Sequence, residues 1–326
     1  MSIVTLLWRN ERWAEGFVGS LLRSVATAGV AVELILVVNG PDGVEAKAAV
    51  RRIIEMAQAP SLTLIELDLP ENLGFAGGAN AGLSRARGAI VNLLNFDVQV
   101  DAQYVSRLAA RGGAVSPAMF VPSVRRLSVD GEPDFTSREA GPLRRTFIHR
   151  GLPFRTPPQP GARVEHANGS SIVATASFWE ARRRLCGEFL PGFFHSYSED
   201  LDLFWWASRL GFPISFEPDL KVFHVMGGSF GGDATYALRP SQMRVQVLAN
   251  WRMAVFRNHP TLRETMGWIA GEGGYVLRLL THRPWCAPRD YLLSWVRTVS
   301  FGFGRGSIRS VGRPVIRLSV EEAEQW

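Results

Sequence analysis

Four short apolar runs, each followed by a different kind of segment, limit what this chain can fold into. Ile3–Trp8 (IVTLLW) is a continuous apolar run of strand length, and Val32–Val38 (VELILVV), Leu62–Leu67 and Ala89–Asn95 read as further, mainly apolar strands. Runs of this kind suit strands covered on both faces. Between them, Glu11–Ala28 sets Phe17, Leu21, Leu22 and Val25 on one side of a helix, and Val44–Ala57 reads as another. This alternation predicts a doubly wound, mostly parallel α/β sheet with helices on both faces. Ligands of such sheets lie beyond the carboxyl ends of the strands. Three of those ends carry polar residues: Asn10, Asn39 and Asp97.

The stretch from Asn72 to Val98 (NLGFAGGANAGLSRARGAIVNLLNFDV) is the densest in chemistry. Its first part reads as a glycine-rich loop, Gly74, Gly77, Gly78 and Gly82 with Asn72, Phe75 and Asn80 among them. Glycine lets backbone N–H groups approach phosphate oxygens closely. A short helical run with Arg85 and Arg87 follows, then the fourth strand and the lone carboxylate Asp97. A phosphate-bearing ligand and a carboxylate able to hold a divalent metal are thus expected within one unit.

The second half is less regular. Asp101–Arg111 reads as a helix, and 116–163 as a long Pro-, Gly- and Arg-rich excursion in which only Met119–Arg126 resembles a strand. Val164–Ala174 returns to a strand interrupted at Gly169, Ala176–Leu185 is helical, and Gly187–Tyr197 is an aromatic loop. Ser198–Leu203 (SEDLDL) then opens a helix running to Leu210. Three carboxylates there are partly explained by the helix macrodipole. The other reading makes Asp200 a general base with Glu199 beside it. Ile214–Phe216 and Lys221–Phe223 read as short strands, followed by His224 and the turn GGSFGG. Ser241–Arg257, Thr261–Leu280 and Tyr291–Phe303 follow as helices, with Arg305–Arg317 and the acidic Glu321–Glu324 as loose ends.

Composition narrows the class. The chain has 326 residues, 46% hydrophobic and 20% charged, with a net charge of +6. It is globular, and its basic balance favours an anionic partner such as a nucleotide or a phospholipid surface. Arginine supplies that charge, since Lys47 and Lys221 are the only lysines. Cys186 and Cys286 form no motif, and a reducing cytoplasm is expected. No run reaches the ~18 apolar residues of a membrane span. A dehydrogenase is excluded because Gly74-Phe-Ala-Gly77 is not the dinucleotide fingerprint. A nucleotidyltransferase would want a glycine-rich basic signature after the first strand, where Trp8-Arg9-Asn10-Glu11 stands. Nucleic acid has only the net charge in its favour.

Four segments together resemble an inverting family 2 glycosyltransferase of GT-A fold, in the rhamnosyltransferase-like branch that builds bacterial surface polysaccharides. They are Asn72-Leu-Gly74-Phe75 through Gly78, Asn80 and Gly82; Asn95-Phe96-Asp97; Phe194 through Tyr197, Glu199, Asp200, Asp202 and Leu203; and Val222-Phe223-His224. The resemblance implies a catalytic domain over 1–235, with a nucleotide-sugar half (1–111) and an acceptor half (112–235), and a helical region over 236–326. It implies that Asp97 and His224 hold Mg2+ or Mn2+ against the donor diphosphate, and that Asp200 is the base. Asn10, Asn39, Asn72, Gly74, Phe75, Gly78, Asn80 and Asn95 would join Asp97 around the donor. Gly169, Tyr197 and Glu199 would face a glycan or lipid-linked acceptor. The chain departs from the pattern at Val38-Asn39, where the family usually has Asp-Asn, at Phe96, where it has proline, and at Trp206, where it tends to have arginine. The first departure leaves a second reading, a catalytically degenerate nucleotide-sugar or glycan binder. The C-terminal helices are expected to pack on the catalytic core or a second copy, or, through Arg interleaved with Trp and Phe, to meet the inner membrane surface.

Overall fold

The computed structural model describes residues 1–9, 11–113, 116–128, 130–144, 152–225, 241–258, 260–280 and 287–303. Asn10, the GGSFGG turn, Cys286, Arg305–Arg317 and Glu321–Glu324 lie outside the described residues. Strands β1 (Ser2–Leu7), β2 (Val32–Asn39), β3 (Leu62–Leu69) and β4 (Ile90–Leu94) alternate with helices α1 (Ala14–Ala26), α2 (Val44–Ala57) and α3 (Gly74–Leu83). Then come β5 (Val98–Val100), α4 (Tyr104–Ala109) and β6 (Met119–Leu127). Short strands β7 (Pro133–Asp134), β8 (Pro142–Arg144), β9 (Leu152–Pro153) and β10 (His166–Ala167) follow, then β11 (Ser171–Thr175), α5 (Ala176–Cys186), α6 (Glu199–Arg209) and β12 (Ile214–His224). The last helices are α7 (Ser241–Arg257), α8 (Leu262–Leu280) and α9 (Pro288–Phe303).

One mixed sheet runs β3-β2-β1-β4-β11-β6-β12-β5. Its first four strands are parallel, as the alternation predicts. Beyond them β11 lies antiparallel to β4 and β6, and β12 runs parallel to β6 and antiparallel to β5. Side chains alternate across the sheet into two cores. Ile3, Leu7, Leu34 and Leu36 face α1 and α4, whereas Val4, Ile35, Val37 and Leu93 face α3, α5 and α6. Caps mark the ends of α5: Thr175 Oγ1 accepts from Phe178 N–H at 3.2 Å, and Gly187 closes it with φ +80°. Only glycine takes that conformation without strain.

Three local expectations are corrected. Residues 74–83 form a helix where a glycine-rich loop is expected, and Arg85 and Arg87 lie beyond its end. The glycines serve close packing: a Cβ on Gly82 would stand 2.4 Å from Val4 Cγ1 and 2.8 Å from Val37 Cγ2, and one on Gly78 2.7 Å from Leu6 Cδ2. Within the excursion, β7 pairs with β6, and β8 and β9 join β10, just beyond it, in a second small sheet. These strands are too short to carry a period, and their prolines argue against strand in sequence. Finally, β12 is one strand, with a shift of register between Glu217 and Lys221 around Pro218, which has no N–H to pair.

The C-terminal helices share a core with the rest of the chain. Phe194, Leu201 and Trp205 pack with Ala249, Trp251, Met253 and Trp268. No helix among the described residues is long and apolar enough to cross a membrane.

Candidate active site

The sheet brings Asp97 and His224 together from 127 positions apart in sequence. Asp97 sits in the turn between β4 and β5, and His224 ends β12, whose pairing with β5 sets His224 opposite Val98. His224 Nε2 lies 3.3 Å from Asp97 Oδ1, and both side chains are about nine-tenths buried, at 12% and 10% exposure. Two ligands at right angles around one ion, each ~2.1 Å away, stand ~3 Å apart, so the pair suits a shared divalent cation. The same spacing also serves a plain ion pair. Among the described residues no group of three or more His, Cys, Asp and Glu can hold a metal. The other positions around an ion held by Asp97 and His224 would fall to phosphate oxygens and water, the habit of Mg2+ at nucleotide sites. Asn95 Oδ1 is buried with no hydrogen-bond partner among the described residues. Its backbone N–H donates to Ser170 O at 2.9 Å.

That last bond leads to Asp200. Ser170 is followed by β11 and preceded by Gly169, and a Cβ on Gly169 would lie 2.5 Å from Asp200 Oδ2. The carboxylate therefore rests directly on glycine backbone. Asp200 Oδ1 accepts from Leu201 N–H at 2.8 Å, and the side chain is partly exposed. Glu199 beside it is buried. Asp202, the third acid of the helix start, belongs to the core. Its carboxylate meets Arg182 Nη2 at 2.6 Å, Arg257 Nε at 3.2 Å and Asn258 Nδ2 at 3.0 Å.

The segment leading into α6 is held in a costly backbone conformation. His195, Tyr197 and Ser198 have φ of +58°, +73° and +74°. Such angles are rare outside glycine and persist only where the surroundings impose them. Here Asn250 of α7 imposes them: its Nδ2 donates to the carbonyls of Phe194, Ser196 and Tyr197 at 2.8–2.9 Å. Gln246 Nε2 reaches the first two at 3.1 Å. Neither residue stands out in sequence, although an asparagine within the apolar run LANWRMAVF is a detectable irregularity.

The Asn72–Asn80 residues bind chiefly to the protein itself. Asn39 Nδ2 donates to Asn72 Oδ1 and Gly74 O, and its Oδ1 accepts from Leu73 N–H. Asn72 Oδ1 also accepts from Gly74 N–H at 2.8 Å. Gly74, with φ +74°, lies so close to His195 that a Cβ would be 2.4 Å from its carbonyl oxygen. Phe75 N–H donates to Ser196 Oγ. Asn80 exchanges two bonds with Leu190, its Nδ2 to the carbonyl at 2.7 Å and its Oδ1 from the N–H at 2.8 Å. Beneath β4 and β11, Asn92, Tyr104 and Ser171 close a buried hydrogen-bonded triangle. Burial pushes the Tyr104 phenol well above its ordinary range, so it stays a neutral structural donor. Phe96, in the place of proline, packs against Phe17, and Trp206 is buried under the Arg182 guanidinium.

The sequence profile described as Glycosyl transferase family 2 matches residues 3–168, about half the chain. The chain belongs to glycosyltransferase family 2. Solved structures similar to this glycosyltransferase include GalNAc-T7 with UDP, GalNAc and Mn2+, at TM-score 0.57 and 15% identity, covering 78% of this chain and 48% of that one. Another is the mannosyltransferase PcManGT from Pyrobaculum calidifontis in complex with GDP-Man and Mn2+, at TM-score 0.52 and 14% identity over 94% and 76%. At these identities the likeness establishes the fold, the GT-A arrangement of a mixed sheet with helices around it. No curated protein matches the glycosyltransferase in sequence.

Proposed function

We propose that this glycosyltransferase moves a sugar, with inversion and with Mg2+ or Mn2+, from a nucleoside-diphosphate donor to a hydroxyl of a glycan or lipid-linked acceptor. Its donor is dTDP-rhamnose or a UDP- or GDP-hexose, in the manner of the rhamnosyltransferase-like branch of bacterial surface-polysaccharide synthesis. The observation that carries the reading is the meeting of Asp97 and His224 at the sheet edge where Gly169 receives Asp200. The Mn2+ that accompanies UDP in GalNAc-T7 and GDP-Man in PcManGT supports a divalent ion in this fold.

Asp97 and His224 would hold the ion, which when bound neutralises charge on the departing diphosphate. Asp200 takes the proton of the acceptor hydroxyl as its oxygen bonds to the anomeric carbon and the bond to the diphosphate breaks. One displacement inverts that carbon and needs one carboxylate, unlike the pair used for glycoside hydrolysis. Asn39 is committed to the 72–74 turn, so its part in donor binding is to shape the pocket wall.

Thermal stabilisation by UDP, dTDP, GDP and CDP, each with and without Mn2+, tests the reading, since a ligand of the native state raises Tm by mass action. One nucleotide is expected to shift Tm, and only with the metal. Asp97→Ala is expected to abolish both that shift and transfer. Asp200→Asn is expected to abolish transfer and keep the shift. Equal loss of the shift in both variants removes Asp200 from the role of base, and no shift with any nucleotide favours the degenerate binder.

A further inference from the structure

Helices α8 and α9 carry their polarity the wrong way round for a surface of a water-soluble domain. A surface helix ordinarily turns its apolar stripe to the core. Here the inward residues of α8 include Glu264 and Glu272, and those of α9 include Asp290, Ser294 and Thr298, all buried. Arg209 pairs with Glu264, Arg252 with Glu272, and Arg244 with Asp290, tying both helices to α6 and α7. The outward residues are Leu262, Met266 and Ile269 on α8 and Leu292, Val296 and Val299 on α9, at 48–81% exposure. The two helices hold nine of the fifteen large apolar side chains exposed among the described residues, so these form a concentration and not a scatter.

Among the described residues of α8 and α9, the exposed charges have one sign. The carboxylates of α8 and α9 are Glu264, Glu272 and Asp290, and all three are turned inward. Arg263 and Arg289 are exposed beside the apolar residues. Arg297 is half-buried on α9, and its Nε has no acceptor among the described residues. In sequence, the segments next to these helices add Arg283, Arg305, Arg309, Arg313 and Arg317, and no acid occurs between Asp290 and Glu321. An apolar face whose exposed charges on α8 and α9, among the described residues, are arginine matches the acyl boundary and headgroups of an anionic bilayer. A second copy of the same face would set arginine against arginine.

We propose that the outer face of α8 and α9 seats the protein on an anionic lipid surface. The helices lie in the interface, apolar side chains among the upper acyl carbons and guanidinium groups on lipid phosphates. The same α7 that carries them also clamps the 194–198 segment ahead of Asp200, so docking and the reaction site share one helix. The proposal stands apart from the transfer reaction, because its test uses no donor, metal or acceptor.

Co-sedimentation of the full chain with vesicles of phosphatidylcholine alone, and of phosphatidylcholine with phosphatidylglycerol, reads it directly. Binding is expected to the second kind only and to weaken with salt. The double variant Leu292→Asp with Val296→Asp is expected to lose ~10-fold or more in partitioning while Tm stays near that of the unmodified chain, since both side chains are exposed. Arg289→Glu is expected to lower binding to the anionic vesicles as well. Absence of binding to anionic vesicles overturns the proposal, as does a double variant that binds undiminished. A dimer in sedimentation velocity that the double variant dissociates also overturns it, by assigning the face to a second copy.

Discussion

Gly169 is the residue whose function is easiest to test without touching a reacting group. It lies under the Asp200 carboxylate, and a methyl group there would have to displace that carboxylate or the turn beneath it. Gly169→Ala is therefore expected to slow transfer by ~10–100-fold, since a misplacement of about 1 Å is enough for such a loss. Metal-dependent nucleotide stabilisation of the same variant should remain, and steady-state rates beside Tm shifts check the split. The family resemblance marked Asp97, Asp200 and His224 as candidates in sequence, and the structure brings Asp97 and His224 within 3.3 Å of each other. The resemblance could not show that Asn39, Asn72 and Asn80 bond to protein, or that Asp202 is a core ion-pair partner. Those facts depend on what lies across space from each side chain: Asn80 meets Leu190, and Asp202 meets Arg182.

Periodicity located most helices and strands of the first half to within a few residues, but it missed the three-residue β5 and misread 74–83. The segment 74–83 is rich in glycine, which disfavours an isolated helix by about 1 kcal/mol per residue relative to alanine. Its tight seating on Val4, Val37 and Leu6 overrides that preference, and only residues without a Cβ allow it. The excursion was illegible for another reason, since its strands are held by backbone pairing over two or three residues. Helix α7 was placed correctly, but its work was not visible. Asn250 is fully buried and satisfies three carbonyls of a strained segment at once. Asn250→Ala is expected to destabilise the protein by ~1–3 kcal/mol, by taking the side-chain donor from the Tyr197 carbonyl and leaving those of Phe194 and Ser196 with Gln246 as their side-chain donor. It is also expected to reduce transfer through loss of the conformation at His195, Tyr197 and Ser198. Denaturant unfolding and rate measurements on the variant check both outcomes.

The family match covers 3–168, yet the fold does not close there. Strand β12 brings His224 to Asp97, and the core of Phe194, Leu201 and Trp205 is completed by α7 and α8. A chain ended before Ser241 would bare that aromatic core. It is expected to aggregate on expression, and light scattering beside the full chain tests this. Helical patterns in 236–326 left open whether these helices pack on the catalytic core, on a second copy or on a membrane, and the shared interior shows α7 and α8 packed on the core. The paired bonds between Asn80 and Leu190 carry a practical consequence. They fasten the aromatic loop 187–197 to helix α3, with His195 pressed onto Gly74 beside them. Chimeras built by transplanting loop 187–197 from another transferase would break these bonds unless the matching helix travels with it. The two segments form a single structural cassette, which a graft must move whole to keep its packing.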